Sequence, residues 1–456
     1  MEGRLPPEGD DLFEWTDAPA RPPTPPREPV PAEGGRPGTG ESAAVESPPS
    51  PSPTPTPTPD TAERRRIRGD TGEFERSGRR PPPGRRARRR DLPAKVRRRQ
   101  DFMVGGVAAI VIIALIVLIS SSGGGSSEQP VPLKRLVGQS IVAKLGSKGP
   151  DQALVKRVRH GQVGGLITFE TDPQKLKSDV QKLQSAASAG GNPPLLVMVD
   201  QEGGDVKRLK SGPPTISPAD LGKSGDEGQA KDQGQQTGSF LRGLGVNVDL
   251  APVLDVSQPQ TAQSIKSRTF GSDPAVVSKV GVPFAQGLQD GGTVATAKHF
   301  PGLGRATVST DDRPVTIAAT SNQLQNDLLP FKAAVGAGVR MVMVSTASYP
   351  TLGAKKPAAF SPTIVKTLLR GHLGFDGVTI TDDLEAPAVT STLPPVVAAT
   401  AALKAGNDLL LYASNTKASE NAFGSLVRQV KNGQLDRGVV QAAYDRITSL
   451  KDSPTG

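Results

Sequence analysis

Between residues 163 and 413 the chain repeats one phrase: a short apolar, β-rich run, a polar end, then a stretch with helical spacing. The runs are VGGLITF from Val163, LLVMVD from Leu195, GVNVDLAPV from Gly245, GTVATAKHF from Gly292, VRMVMVS from Val339, GVTITDD from Gly377 and NDLLLYA from Asn407. Between them stand DVQKLQSAAS, QQTGSFLRGLG, AVVSKVGVPFAQGLQDGG, NQLQNDLLPFKAAVGAG and SPTIVKTLLRGHLG, several closing on Gly as helix ends do. Buried strands alternating with amphipathic helices predict a parallel sheet with crossover helices. Seven or eight such units within residues 130–452 fit a TIM-like (β/α)8 barrel better than an open sheet. No GxGxxG or Walker-type loop follows any run, so nucleotide binding has no support.

The chain ahead of this region reads differently. Residues 1–60 are crowded with Pro, Glu, Ser and Thr, including PSPTPTPTP, and such a segment buries too little apolar surface to offset the entropy of ordering. Residues 61–100 hold 16 Lys or Arg against 5 Asp or Glu. Residues 1–100 are therefore expected to be a disordered tail, first Pro-rich and then Arg-rich. Phe102–Ile119 is an uncharged apolar run of 18 residues, long enough to span a bilayer as a helix, so one transmembrane helix is expected over 102–120. It lies too far along the chain for a secretory signal peptide. Arginines precede it and SSSGGGSS follows within the linker 121–129, which places the tail in the cytoplasm and the barrel outside, as a single-pass cell-membrane protein. The basic run is then a topology signal beside anionic lipid, and no nucleic-acid partner is expected.

In a barrel, chemistry collects where strands end. LLVMV is followed by Asp200, Gln201 and Glu202; TVATA by Lys298 and His299; GVTIT by Asp382 and Asp383; and SIKSRTFG supplies Arg268 in a loop after the third run, GVNVDLAPV. Carboxylates and cations thus converge from separate strands, which suits a sugar ligand and carboxylate chemistry. The chain has 0 Cys and 3 His, at 160, 299 and 372, so no thiolate or His-rich metal site is expected.

VMVDQEGGDVKRL, GVNVDLAPVLDV, SIKSRTFG, AKHFPGLG, GFDGVTITDDLEAPAV and AGNDLLL resemble, in this order and spacing, the catalytic barrel of the family 3 glycoside hydrolases. The similarity is to the single-domain bacterial β-N-acetylglucosaminidase (β-N-acetylhexosaminidase) type that acts on cell-wall fragments. It implies a retaining mechanism without a cofactor, a carbohydrate substrate from cell-wall glycan, Asp382 as nucleophile, and Asp200, Arg208, Arg268, Lys298 and His299 as substrate contacts. The residues by themselves leave other readings open: Asp382 as a helix cap, Arg268 and Lys298 as structural ion pairs, with Glu202 as the partner of one of them, and His299 as a structural hydrogen-bonding group.

Five positions depart from the family pattern. Leu303 replaces the second His of Lys-His-Phe-Pro-Gly-His-Gly, Ser309 and Asp311 fall on the Asp and His of the acid/base pair, Asp205 replaces an Arg, and Thr346 falls where His is common. Asp311 and Asp312 are therefore the candidates for general acid/base, each needing desolvation to raise its pKa. The alternative is that S-T-D-D is ordinary turn chemistry with solvated carboxylates. Two functions follow: a membrane-anchored, extracytoplasmic β-N-acetylhexosaminidase acting on peptidoglycan or muropeptides, or a catalytically impaired glycan-binding barrel in wall sensing or scaffolding.

Overall fold

The computed structural model of the protein describes residues 130–170 and 172–453. The expected tail (1–100), apolar span (102–120) and linker (121–129) lie outside the described residues. Among those described, no helix is long and apolar enough to cross a membrane.

Eight parallel strands form the centre: β1 (Ile141–Leu145), β2 (Gly165–Thr168), β3 (Leu196–Val199), β4 (Val248–Asp249), β5 (Val294–Phe300), β6 (Met341–Val344), β7 (Val378–Thr381) and β8 (Leu410–Leu411). They lie side by side in sequence order, with β8 returning to pair with β1 through Ile141↔Leu410 and Val142↔Leu411. The remaining seam closes by a parallel bridge between Ile380 and Leu409, where Leu409 N–H donates to Thr379 O at 2.9 Å. The expected TIM-like barrel is present. Its first strand, IVAKL, was not among the seven runs read from the sequence, because Lys144 interrupts the apolar signal.

Each strand is followed by a helix on the outside: α1 (Gln152–Arg159), α2 (Pro173–Ala189), α3 (Glu227–Gly243), α4 (Pro274–Asp290), α5 (Ser321–Gly336), α6 (Thr363–His372), α7 (Pro395–Ala405) and α8 (Thr416–Lys431). Their starts are encoded locally. Asp172, Asp226 and Asp273 accept backbone N–H bonds as N-caps, with Pro173 and Pro274 preorganising the first turn, and Thr320 with Gln323 forms a capping box, each a contribution of about 1 kcal/mol. The α3–α4 contact is unusually close because Gly234 and Gly287 face the partner backbone. A Cβ at Gly234 would stand 2.2 Å from Phe284 O, and one at Gly287 2.1 Å from Lys231 O.

Strand alternation divides the core. Val142, Ile167, Met198, Val248, Met343 and Ile380 point into the barrel and fill it, whereas Ala143, Leu166 and Val197 face the helices. Each fully buried aliphatic side chain stabilises the fold by roughly 1.5–3 kcal/mol. The same period of two brings Lys144 and Lys298 onto the inner face at the carboxyl end, above the last apolar layer. At the opposite end, the helix Arg437–Asp452 ties the first segment down: Arg437 donates to Val131 O at 2.8 Å, and Lys451 donates to Gln139 Oε1 at 2.6 Å and Gly164 O at 2.9 Å.

Candidate active site

The carboxyl ends of the strands surround a cavity of about 530 Å³. Asp200, Arg208, Arg268, Lys298, His299, Asp311 and Asp382 all line it; Asp312 does not. Residues from four strand-to-helix segments, separated by up to 182 positions in the chain (382 − 200), thus reach one space.

Asp200 directly follows β3, and the chain then forms a tight hairpin of Gln201–Gly203 against Val206–Lys207. The turn needs glycine: Gly203 and Gly204 adopt φ of 97° and 57°, conformations costly for side-chain-bearing residues. Gln201 fixes the following loop, its amide donating to Leu209 O and Pro213 O while its carbonyl accepts from Leu209 N–H. Arg208 is thereby returned to the cavity wall, with Nη2 3.8 Å from Asp200 and its guanidinium 4.9 Å from the Phe169 ring centroid.

A buried ion network lies beneath. Glu202 accepts two bonds from Arg268, 2.8 Å from Nε and 2.6 Å from Nη2, and one from Lys298 Nζ at 2.6 Å. Lys298 also donates to Asp200 at 2.8 Å. Burial by itself would raise the Glu202 pKa, but Arg268 and Lys298 outweigh it and hold the carboxyl at about 2. Burial likewise opposes the charge on Lys298 and on Arg268, and the facing carboxylates reverse its effect, so both cations are pushed up. The expected role of Glu202 as partner of these cations holds; it has both. Behind the network, Asp249 is fully buried, accepts from Gln201 N–H at 3.0 Å, and is raised by desolvation to about 8.

His299 is fixed by Asp255, a residue that the sequence reading passed over. Asp255 Oδ2 lies 2.7 Å from His299 Nδ1, while Oδ1 accepts from His299 N–H and Leu303 N–H. The carboxylate places the proton on Nδ1 and leaves Nε2 for a ligand. Leu303 itself is buried at the wall of the cavity, so the position that carries a histidine in the family pattern is apolar packing here.

The two aspartates of the loop after β5 have different surroundings. Both are exposed, but Asp311 lines the cavity and Asp312 does not. The Asp311 backbone N–H donates to Ser309 Oγ at 3.1 Å. Protein atoms around it desolvate the carboxyl, and the charge of Asp382 adds to this, so its pKa is raised; His299 and Arg268 oppose the effect in part. Asp382 follows β7 directly. Its Oδ1 accepts from Asp383 N–H at 2.9 Å, and neither aspartate caps the short helix Pro387–Thr390, whose N-cap is Ala386. Asp383 instead accepts from Glu385 N–H and Ala413 N–H. The loop of Asp311 and the segment after Asp382 are joined by a bond from Ala388 N–H to Thr310 O at 3.1 Å.

Two wall residues were not singled out from the sequence at all: Lys144, from the strand that was missed, and Phe169, at the end of β2. Among the described residues no group of three or more His, Asp or Glu is placed to hold a metal ion.

This arrangement, a cavity floored by an ion network and lined by Asp311 and Asp382, agrees with what the chain is similar to. Residues 135–450 match the model described as glycosyl hydrolase family 3 N terminal domain. The chain is 33% identical over 328 residues to the β-hexosaminidase LpqI of Mycobacterium tuberculosis, covering 70% of this chain and 83% of that protein. It is 34% identical over 279 residues to a β-hexosaminidase of Nitrosospira multiformis, covering 59% and 79%. Among solved structures, a family 3 β-N-acetylglucosaminidase from Paenibacillus superposes with a TM-score of 0.68 at 32% identity, covering 70% of this chain; the chain spans 62% of that protein's length. A β-N-acetylhexosaminidase from Beutenbergia cavernae superposes with a TM-score of 0.65 at 30% identity, covering 71% and 99%. The chain therefore belongs to glycosyl hydrolase family 3, and it is a glycoside hydrolase.

Proposed function

We propose that the protein is a retaining β-N-acetylhexosaminidase in which Asp382 is the nucleophile and Asp311 the general acid/base. The observation that carries the reading is the pairing of these two carboxylates on one cavity, with the Asp311 pKa raised by desolvation and by the charge of Asp382. A pair of carboxyl groups whose surroundings separate their protonation states is what this chemistry requires.

Asp382 attacks the anomeric carbon as the Asp311 proton passes to the leaving oxygen, giving a glycosyl-enzyme and a free alcohol. Water then attacks the same carbon, Asp311 takes its proton, and Asp382 leaves as carboxylate. The Lys298–Asp200 pair and Nε2 of His299 offer donors and acceptors to ring hydroxyls. Arg268 is occupied by Glu202, so it acts by holding the charge balance of the cavity floor and through its field on Asp311.

The substrate is terminal N-acetylhexosamine on peptidoglycan or muropeptides. The relatives described as β-hexosaminidases support the sugar. The apolar run over 102–120, with arginines before it and Ser/Gly after it, supports a membrane-anchored, extracytoplasmic barrel beside the wall. The test is release of nitrophenol from 4-nitrophenyl β-N-acetylglucosaminide by the full chain in detergent, with Asp382→Ala as control. Equal rates in the two proteins would sink the assignment.

A further inference from the structure

Four cationic side chains line the cavity: Lys144, Arg208, Arg268 and Lys298. Three of them have a carboxylate within ion-pair range. Arg208 faces Asp200, Arg268 faces Glu202, and Lys298 faces Asp200 and Glu202. Among the described residues Lys144 has none. Its ammonium touches Ser414 O at 3.5 Å, the outer limit of a hydrogen bond, and stands 5.3 Å from the centroid of the Phe169 ring.

The nearby acids are engaged elsewhere. Asp383 accepts from Glu385 N–H and Ala413 N–H, and Glu385 accepts from Ser414 N–H and Asn415 N–H. Both carboxylates thus hold the loop after β8 and leave the lysine alone. An ammonium carries three donors, so at least two are left without a protein acceptor beside the cavity that Lys144 lines. Arg208, 4.9 Å from the centroid of the same Phe169 ring, is held only loosely at 3.8 Å by Asp200, and its Nε is buried without a hydrogen-bond partner. A half-buried cation in this setting favours an anion, and a carboxylate satisfies it far better than a hydroxyl does.

The position of the anion on the substrate follows from the ring of strands. Lys144 is on β1 and the loop of Asp311 follows β5, four strands away in a barrel of eight. The leaving oxygen lies at Asp311. Lys144 therefore faces the end of the bound sugar remote from the scissile bond, the edge that carries C4 and C6. We propose that Lys144, seated against Phe169 and beside Arg208, binds a carboxylate at C6 of the glycone, so that the enzyme prefers glycosides of an acidic amino sugar, a hexosaminuronic acid, over their neutral counterparts. The proposal rests on the glycosidase reading of the same cavity.

The experiment compares 4-nitrophenyl β-N-acetylglucosaminide with its C6-carboxylate analogue on the full chain, for wild type, Lys144→Met and Lys144→Arg. Wild type has the higher kcat/KM on the acid. Lys144→Met lowers kcat/KM for the acid about tenfold or more beyond its effect on the neutral glycoside, mainly through KM because the contact lies away from the reacting bond. Lys144→Arg recovers most of the preference. Equal losses on both substrates, which a lysine serving hydroxyls or the loop would give, overturn the proposal, as does a wild type that disfavours the acid. If wild type turns over neither glycoside, the hydrolase reading fails separately. Calorimetric binding of free N-acetylglucosaminuronic acid and N-acetylglucosamine then decides the matter: a preference for the acid that Lys144→Met abolishes sustains the proposal, and no preference overturns it.

Discussion

Lys298 Nζ lies 2.6 Å from Glu202 Oε1, and the two side chains retain 2% and 1% of their accessibility. Both charges are almost wholly buried, so Glu202 depends on Lys298 and Arg268, and Lys298 on Glu202 and Asp200. Glu202→Gln leaves two cations facing an amide, and the expected loss is about 3–5 kcal/mol, read as a lower urea midpoint with unchanged m-value. The pH dependence has a definite sign. The folded pKa is depressed from 4.5 to about 2, so the stabilisation is complete above the unfolded value and is lost as pH falls from about 4.5 towards 2. The variant should lack that acid slope.

Asp311 and Asp312 are neighbours in sequence with opposite expectations. Asp311→Asn should lower turnover on substrates with a poor leaving group by about 100-fold or more, and much less on nitrophenyl glycosides, which need little protonation. Asp312→Asn should stay within about twofold on both. In wild type, activity on poor leaving groups should fall as pH rises through the raised Asp311 pKa, because the acid must be protonated at the first step. Comparable small effects of both variants would place the donor elsewhere.

A carboxylate nucleophile predicts a covalent intermediate. Adding azide to Asp311→Asn with a nitrophenyl glycoside should raise turnover and yield the β-configured glycosyl azide, identified by proton NMR. The small anion attacks the glycosyl-enzyme on Asp382 without needing a base. An α-configured azide would rule out the double-displacement route.

Asp249 carries a proton at neutral pH, since burial raises its pKa to about 8, and its Oδ2 has no hydrogen-bond partner. Between the ordinary carboxylate range and pH 8 the unfolded chain is ionised while the folded chain is not. Stability therefore falls with pH across this window, by at most about 1.4 kcal/mol per pH unit for one proton. Asp249→Asn keeps the shape and removes the proton, so its stability relative to wild type should grow from pH 5 to pH 8, measured by thermal melts. A difference that does not change with pH would contradict this.

Much of the barrel was legible because its strands are buried on both faces and read as continuous apolar runs, from LLVMV to NDLLL. The strand that escaped, Ile141–Leu145, carries a lysine on its inner face, and a charge inside a five-residue run erases the pattern that betrays a strand. The same omission hid Lys144 from the list of cavity residues. The convergence of Asp200, Lys298 and Asp382 followed from their place at strand ends. What sequence left open was which of two adjacent aspartates turns inward, because that depends on the path of the loop over the mouth, here set by contacts such as Ala388 N–H to Thr310 O. Asp255 was hidden for a similar reason. It lies 44 residues from His299, and only the fold brings the two together.

The bond between Ala388 and Thr310 links the two halves of the reaction to each other as well as to their own strands. The loop that delivers Asp311 is registered against the segment that follows Asp382, so the two segments form one interchangeable part. A chimera that imports residues 298–312 from a histidine-bearing relative into this barrel would meet a foreign 382–390 surface and should lose alignment between its acid and nucleophile. Transplanting both segments together should keep it. Replacement of a proton donor within this fold is thus a matter of paired inheritance, and the aspartate found here at 311 is matched to a docking strip some 75 residues downstream (386 − 311).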